Sequence, residues 1–472
     1  MEKISVGKER SPAWQYVFCM VTFLSAFIFL KPKVSFTNSG EITFYLVEIL
    51  GLLVGAFLIF YLFKNFKTLS KNSKILFWTA FISQAAFLII YAVRIFTVGL
   101  EMKSILIIES NLFVLGFYLL IVFRILSAKC VLTSLSYFSA VLGVASVVLI
   151  YVLPDSYTDW VLYWNENLYV LTFGNAVRTF IMLLCLPLTA MNHWLCRSKA
   201  SAVCFYVHLA SLVVCGMISG ARVNYLCIPL AIFLLSAIFI RFKRTHWWRT
   251  PAAILGLSAL MIVAMFVVSC FSMRTYTQLM RLDITKQVMV ALDIQYIGPN
   301  VGETPGKDPS DDGMNTEQNA DSDAVLQEML NQAEGSAAES ASSRTHMWKL
   351  AIEDIKAAPL FGNGLKQYEY TFGNGVTLPM QAHNFILEYI LGFGLVGFVL
   401  WLVMMAAPEW LVLRRIKFRF WNHAPFCFAV CSMLFACCGA LFQPYFLYPC
   451  IMFFVFTLMG CYYEISVRSE EN

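Results

Sequence analysis

The chain has 472 residues, of which 59% are hydrophobic and only 13% are charged, and its mean hydropathy is +0.69. Soluble domains are about 45–50% apolar and about 25% charged, so this composition excludes an ordinary soluble protein. The net charge of +5 does not indicate nucleic-acid binding, because basic residues in a membrane protein serve to fix its topology. The composition therefore predicts an all-α polytopic protein of the lipid bilayer, with no nucleic-acid partner.

Apolar runs of roughly 17–25 residues are typical of membrane-spanning helices. Twelve such runs cover approximately 14–30, 43–63, 75–93, 104–123, 131–152, 179–195, 201–220, 223–240, 251–271, 384–406, 423–442 and 445–463. The first run lacks a small-residue cleavage site and is followed by Lys31 and Lys33, so we interpret it as a retained span.

Lysine and arginine are unequally distributed between the two sides that twelve spans define. One set of segments, which includes both termini, holds twenty of them, and the short loops of the opposite set hold six. The positive-inside rule then predicts that both termini are cytoplasmic. The chain divides accordingly into helices 1–9 (1–271), a long extracytoplasmic loop (272–382), and helices 10–12 with a cytoplasmic tail (383–472).

The long outer loop has two kinds of sequence. Residues 297–323 are polar, net acidic and rich in Gly and Pro, so they predict a disordered insert. In residues 343–358, by contrast, Trp348, Ile352 and Ile355 recur at helical spacing, which predicts an amphipathic helix at the outer membrane surface.

Three arginines are candidate anion-binding groups, because a guanidinium matches phosphate oxygens with a planar fork of donors. Arg222 is a lone cation between two apolar runs, a placement that favours a functional role. Arg344 lies in the first turn of the predicted 343–358 helix, and Arg178 precedes an apolar run. The alternative for each is an anchor to lipid headgroups.

His383 is the sole histidine where the outer loop re-enters the membrane. A neutral imidazole accepts a proton from a hydroxyl near neutral pH, which makes His383 a candidate base. Asn384 and Glu388 are one helical turn apart, so they predict a polar patch on one helix face. A purely structural, hydrogen-bonding role for Glu388 remains the alternative.

Metal-ligand spacing and a phosphate-cradling Gly-Lys loop are absent from the sequence, so we expect neither a metal nor a cofactor. Arginines, a histidine and an amide suit transfer from a diphosphate donor, in which arginines hold the leaving group and a base activates an alcohol.

The arrangement resembles the O-antigen ligase and Wzy-type polymerase family of bacterial envelopes. The resemblance covers roughly residues 200–400 and depends on four motifs in this order: Ser219-Gly-Ala-Arg222, Arg344-xxx-Trp348, Pro359-Leu-Phe-Gly362-Asn-Gly364, and His383-Asn384-xx-Leu387-Glu388-xxx-Gly392 with Gly397. Twelve spans with a long loop between the ninth and tenth also resemble that family, which is GT-C-like in fold.

The resemblance implies a metal-independent, inverting glycosyltransferase of the bacterial cytoplasmic (inner) membrane, with its active site on the extracytoplasmic side. The donor would be a glycan on undecaprenyl diphosphate, and the acceptor a saccharide or glycolipid. Arg222 and Arg344 would bind the diphosphate, and His383 would act as, or position, the base. Further residues expected at the substrate site are Asn384, Glu388, Trp348, Gly362, Gly364 and Arg178.

Two other functions remain open. A flippase or transporter of lipid-linked sugars would show internal pseudo-symmetry or charged groups deep in several helices, whereas the polar groups here lie at helix ends. A peptidoglycan polymerase would use an acidic residue in an outer loop, and Asp354 is available but lies outside the motifs. Polymerase and ligase are not separated by the sequence.

Overall fold

The structure, a computed structural model, is described for a large part of the chain. The described residues are 12–27, 46–97, 113–152, 176–218, 222–242, 248–280, 283–297, 344–366, 368–371, 377–380, 382–417, 420–442 and 449–468. The predicted acidic insert lies outside them except for its first residue, as do residues 219–221 of the first motif.

Helices dominate the described residues, and eight of them are long and apolar enough to cross a membrane. In chain order the elements are α1 (Ala13–Phe27), α2 (Leu46–Asn65), α3 (Lys71–Thr97), α4 (Phe113–Val122), α5 (Ala128–Val152), α6 (Ala176–Cys196), α7 (Lys199–Ile218), α8 (Arg222–Arg241), α9 (Arg249–Ser269), α10 (Met273–Met280), α11 (Asp283–Ala291), α12 (344–357), β1 (Tyr368–Thr371), β2 (Thr377–Met380), α13 (Phe385–Arg415), α14 (Ala424–Phe442) and α15 (Pro449–Arg468). Each of the twelve predicted apolar runs overlaps one of these helices. An all-α polytopic membrane protein is thus confirmed in outline, while the sidedness of the termini stays a prediction.

Buried polar side chains hold the start of α5, at the end of the bundle where α6 and α8 finish. The Glu464 carboxylate accepts a hydrogen bond from the Ala128 N–H at 3.2 Å. Gln15 accepts from the Ser127 N–H at 3.4 Å and donates to the Ile125 carbonyl at 2.9 Å. These contacts satisfy backbone groups that a helix end would otherwise leave unpaired in apolar surroundings.

A small α/β unit covers the opposite end of the bundle. Strands β1 and β2 form an antiparallel hairpin in which Tyr368 pairs with Met380 and Thr371 with Thr377. Helix α12 packs on this hairpin through a second apolar cluster, centred on the buried residues Met347, Ala351 and Ala382. The sequence analysis predicted the helix but neither the hairpin nor the short helices α10 and α11.

Helix α13 is broken at Gly394, whose φ of 70° and ψ of 179° are not helical. The ring centroids of Phe385 and Trp401 are only 4.7 Å apart. In an uninterrupted helix these two residues would be separated by about 24 Å, at about 1.5 Å per residue. The first arm (385–393) therefore folds back on the second arm (395–415).

The second arm alone is long enough to cross the membrane. Its 21 residues span about 31 Å, close to the hydrocarbon thickness of about 30 Å. The predicted span 384–406 was therefore wrong in its bounds, because its first ten residues are the N-cap and the first arm. Composition does not reveal this, since the apolar run continues across the break.

The loop 359–364 fills the break in α13 with backbone hydrogen bonds. Leu395 N–H donates to the Pro359 carbonyl at 2.9 Å, and Val396 N–H donates to the Leu360 carbonyl at 3.1 Å. In the other direction, the N–H of Asn363 donates to the Leu391 carbonyl at 2.7 Å. We call this set of contacts the backbone clasp.

Two glycines allow the clasp to form. A Cβ added at Gly362 would lie 2.7 Å from both the Gly394 nitrogen and the Leu391 carbonyl oxygen. A Cβ at Gly394 would collide with the carbonyl of Leu360. Both glycines also have positive φ, 76° and 70°, which side-chain-bearing residues rarely adopt.

We expect Gly394→Ala to destabilise the protein by roughly 2–4 kcal/mol, because left-handed strain and a backbone collision add together. The measurement is thermal unfolding of the purified protein in detergent. Gly256→Ala is the matched control, since no atom lies within 4 Å of a Cβ at this helical position of α9. Equal melting temperatures for the two variants would contradict the clasp.

Candidate functional site

His383 lies in the turn that precedes the first arm of α13, with its backbone in the left-handed region at φ 51°. Its side chain is half-buried. The His383 N–H donates to the Glu388 carboxylate at 3.3 Å, and only 1% of Glu388 is exposed. The structure therefore places the predicted base and Glu388 in contact through the backbone.

Asn384 ties this turn to the neighbouring helix α14. Its side-chain oxygen accepts from the Leu387 N–H at 3.2 Å, so Asn384 is the N-cap of the first arm. Its side-chain nitrogen donates to the Leu441 carbonyl at 3.2 Å, near the last residue of α14. Both functions of the amide are thus occupied by protein.

Trp348 connects α12 to the same turn. Its indole N–H donates to the Ala382 carbonyl at 2.6 Å, directly before His383. Arg344 is the first residue of α12, one turn before Trp348 on the same helix face, and is half-buried. The second predicted motif is thereby placed beside the fourth.

Arg222 begins α8 at the same end of the bundle as His383. Helices α8 and α14 run antiparallel, because Arg241 donates to Asn422 at 2.8 Å and Cys227 lies near Cys438. Continuing this register brings the backbone of Arg222 level with the last residue of α14, next to the Leu441 carbonyl that Asn384 contacts. Its side chain lies outside the described residues.

Arg178 occupies a similar level on α6. The Ser432 hydroxyl of α14 donates to the Leu184 carbonyl of α6 at 3.0 Å, and Trp194 lies 6.4 Å from Phe428 between ring centroids. This antiparallel register brings the backbone of Arg178 level with the final turn of α14. As with Arg222, the position is set by the helix and the side chain is not described.

Asp354 of α12 is held by two side chains from the following segment. Lys366 forms an ion pair with one carboxylate oxygen at 2.8 Å, and the Tyr368 hydroxyl donates to the other at 2.9 Å. Burial, and then the hydrogen bond to Asp354, raise the pKa of the Tyr368 phenol well above its usual value. This geometry gives Asp354 a structural role in joining α12 to β1.

Gly362 and Gly364, both expected at the substrate site, lie in the loop that follows α12. Gly362 belongs to the backbone clasp, and the buried Gly364 turns the chain with a φ of 98°. Among the described residues, no three His, Cys, Asp or Glu side chains converge as a metal site would require.

Sequence reasoning missed the partners that hold the site together. The carbonyls of Ala382 and Leu441 are backbone groups, which any residue type supplies, so no sequence signal marks them. Tyr368 had a weak signal, since it follows the Pro359–Gly364 motif at short range.

Residues 207–402 match the model of a family described as O-antigen ligase. The match runs from α7 into the second arm of α13, and it includes every predicted site residue except Arg178. No curated protein and no solved structure matches the chain.

The raised pKa of Tyr368 predicts a specific loss of stability in alkali. Because the folded pKa lies above the unfolded one, the neutral phenol stabilises the fold fully below about pH 10 and progressively less above it. Between about pH 8 and about pH 11, the melting temperature of the wild type should therefore fall more than that of Tyr368→Phe. Parallel pH profiles would contradict this assignment.

Proposed function

Because the chain carries an O-antigen ligase domain over residues 207–402, we propose that it transfers a glycan from undecaprenyl diphosphate to a saccharide or glycolipid acceptor. The match supports an O-antigen ligase- or polymerase-type membrane enzyme of polysaccharide biosynthesis. The finer proposal concerns the donor, the metal-independent inverting mechanism, and the residues that carry it.

One observation carries the proposal. Asn384, next to the candidate base His383, donates to the Leu441 carbonyl at the end of α14. The helix register brings Arg222, the first residue of α8, level with that same end of α14. Arg344 lies one helical turn before Trp348, whose indole donates to the Ala382 carbonyl beside His383. A base and two guanidinium-bearing positions at one bundle end are the components needed for displacement of a diphosphate.

In the proposed reaction, His383 accepts the proton of the acceptor hydroxyl while that oxygen attacks the anomeric carbon. The bond between the anomeric carbon and the phosphate oxygen breaks, and its electron pair leaves with undecaprenyl diphosphate. Arg222 and Arg344 stabilise the charge that develops on this leaving group. A single displacement of this kind inverts the anomeric configuration.

The distribution of lysine and arginine supports placing the site on the extracytoplasmic side. The opposite end of the bundle carries exposed tryptophans, of the kind that lie at a membrane–water interface: Trp14, Trp78, Trp248, Trp410 and Trp421. The Lys/Arg-rich segments of the sequence belong to that same end, which the positive-inside rule makes cytoplasmic.

Purified protein supplied with an undecaprenyl-diphosphate oligosaccharide and candidate acceptors should transfer the glycan without added metal. His383→Ala and Arg344→Ala should each lower kcat at least about a hundredfold, because general-base and charge-stabilising groups contribute about that much. His346→Ala is the matched control, since His346 is exposed on α12.

The product distribution then separates the remaining alternatives. A ladder of products indicates a polymerase, and a single adduct indicates a ligase. Full turnover by the His383 and Arg344 variants would remove these residues from the mechanism. Movement of lipid-linked sugar across liposomes without transfer would show a flippase instead.

Asp354→Asn should keep turnover within about threefold of the wild type, because the amide oxygen still accepts from Tyr368 and only a half-exposed ion pair is lost. The steady-state rate with the same donor and acceptor is the measurement. A loss above about a hundredfold in a folded variant would assign acid–base chemistry to Asp354, as in a peptidoglycan polymerase.

A further inference from the structure

The peptide bond between Ala382 and His383 is held at both of its polar ends by side chains. Its carbonyl accepts from the Trp348 indole N–H at 2.6 Å. Its N–H donates to the Glu388 carboxylate at 3.3 Å. Trp348 belongs to α12 and Glu388 to the first arm of α13, so two separate elements fix the orientation of one peptide plane.

This peptide plane is one of the two that define the φ angle of His383, which is unfavourable for a residue with a side chain. A φ of 51° is left-handed, and such conformations persist where the surrounding structure over-determines them. The direction in which the imidazole leaves the backbone follows from this angle. Displacing a catalytic imidazole by about 1 Å lowers the reaction rate about a hundredfold, so the reaction requires a fixed orientation of this ring.

The Trp348 and Glu388 atoms that bind the Ala382–His383 peptide are poorly placed to contact a substrate as well. The indole has a single N–H, and it is directed at Ala382. Glu388 is 1% exposed and lies in the first turn of the first arm, where a negative charge is favoured by the helix dipole.

We propose that Trp348 and Glu388 are positioning residues for His383, which together form a peptide clamp on the Ala382–His383 bond. The inference depends on the proposed function for the chemical role of His383, and it changes the role expected for both residues from substrate binding to orientation of the base.

The kinetic test uses the full-length protein in the glycan-transfer assay described above. Trp348→Phe keeps an aromatic ring but loses the indole N–H donor, and Glu388→Leu loses the carboxylate acceptor. Each variant should lower kcat about tenfold to a hundredfold with little change in KM. Glu388→Gln keeps an acceptor oxygen for the His383 N–H and should stay within about threefold of the wild type.

Matched controls are Trp14→Phe and Glu353→Gln, which alter an exposed tryptophan at the opposite bundle end and an exposed glutamate of α12. A rise in KM at constant kcat would make Trp348 or Glu388 a substrate contact and overturn the proposal. Inactivity of Glu388→Gln equal to that of Glu388→Leu would show that the charged carboxylate takes part in the chemistry, which also overturns it.

A second readout does not require turnover. Diethyl pyrocarbonate modifies neutral imidazoles, and mass spectrometry resolves His383 from His346 within the same sample. At a fixed pH, Trp348→Phe and Glu388→Leu should change the rate of modification at His383 and leave the rate at His346 unchanged. Unchanged rates at both histidines would refute the clamp. If the wild type transfers no glycan, the proposed function fails, while this readout still decides on the clamp.

Discussion

The arrangement around His383 depends on the backbone clasp between the 359–364 loop and the break in α13. A helix that stops within apolar surroundings leaves N–H and C=O groups without water to bind, and each such group costs several kcal/mol. Carbonyls of the loop accept hydrogen bonds from the N–H groups of Leu395 and Val396, and a loop N–H donates to the carbonyl of Leu391. Protein backbone thus replaces solvent at this break, and α13 is able to fold back.

The clasp also determines where the outer helix lies. Helix α12 ends just before Pro359, so the residues that enter the clasp hold its carboxyl end against α13. Trp348 holds the middle of the same helix through the Ala382 carbonyl. With both attachments made, Arg344 has little freedom relative to His383, although the two are 39 positions apart in the chain.

Much of the membrane architecture follows from the sequence, because a bilayer requires long apolar helices and the chain records them as long apolar runs. The polar residues of the site were also identified, since His383 and Asn384 interrupt that apolar pattern where a loop meets a helix. The sequence analysis did not foresee that Gly362 and Gly394 pack against each other, because contact between distant backbones leaves no periodic pattern.

Other features were hidden for different physical reasons. The helical spacing of Trp348, Ile352 and Ile355 predicted α12, but the residues buried in its apolar cluster are Met347 and Ala351, selected by the hairpin that covers them. That hairpin is only four residues per strand and owes its stability to packing on α12, so local propensity gives it a weak signal.

The two attachments of α12 have a consequence for how this chain tolerates change in length. From residue 344 to the second arm of α13, the chain is cross-connected by the clasp and by the Trp348 contact into one mechanical unit. A change of chain length before residue 344 crosses neither attachment. By loop-closure entropy, each doubling of that length would cost only about 0.6 kcal/mol, so the geometry around His383 should tolerate it.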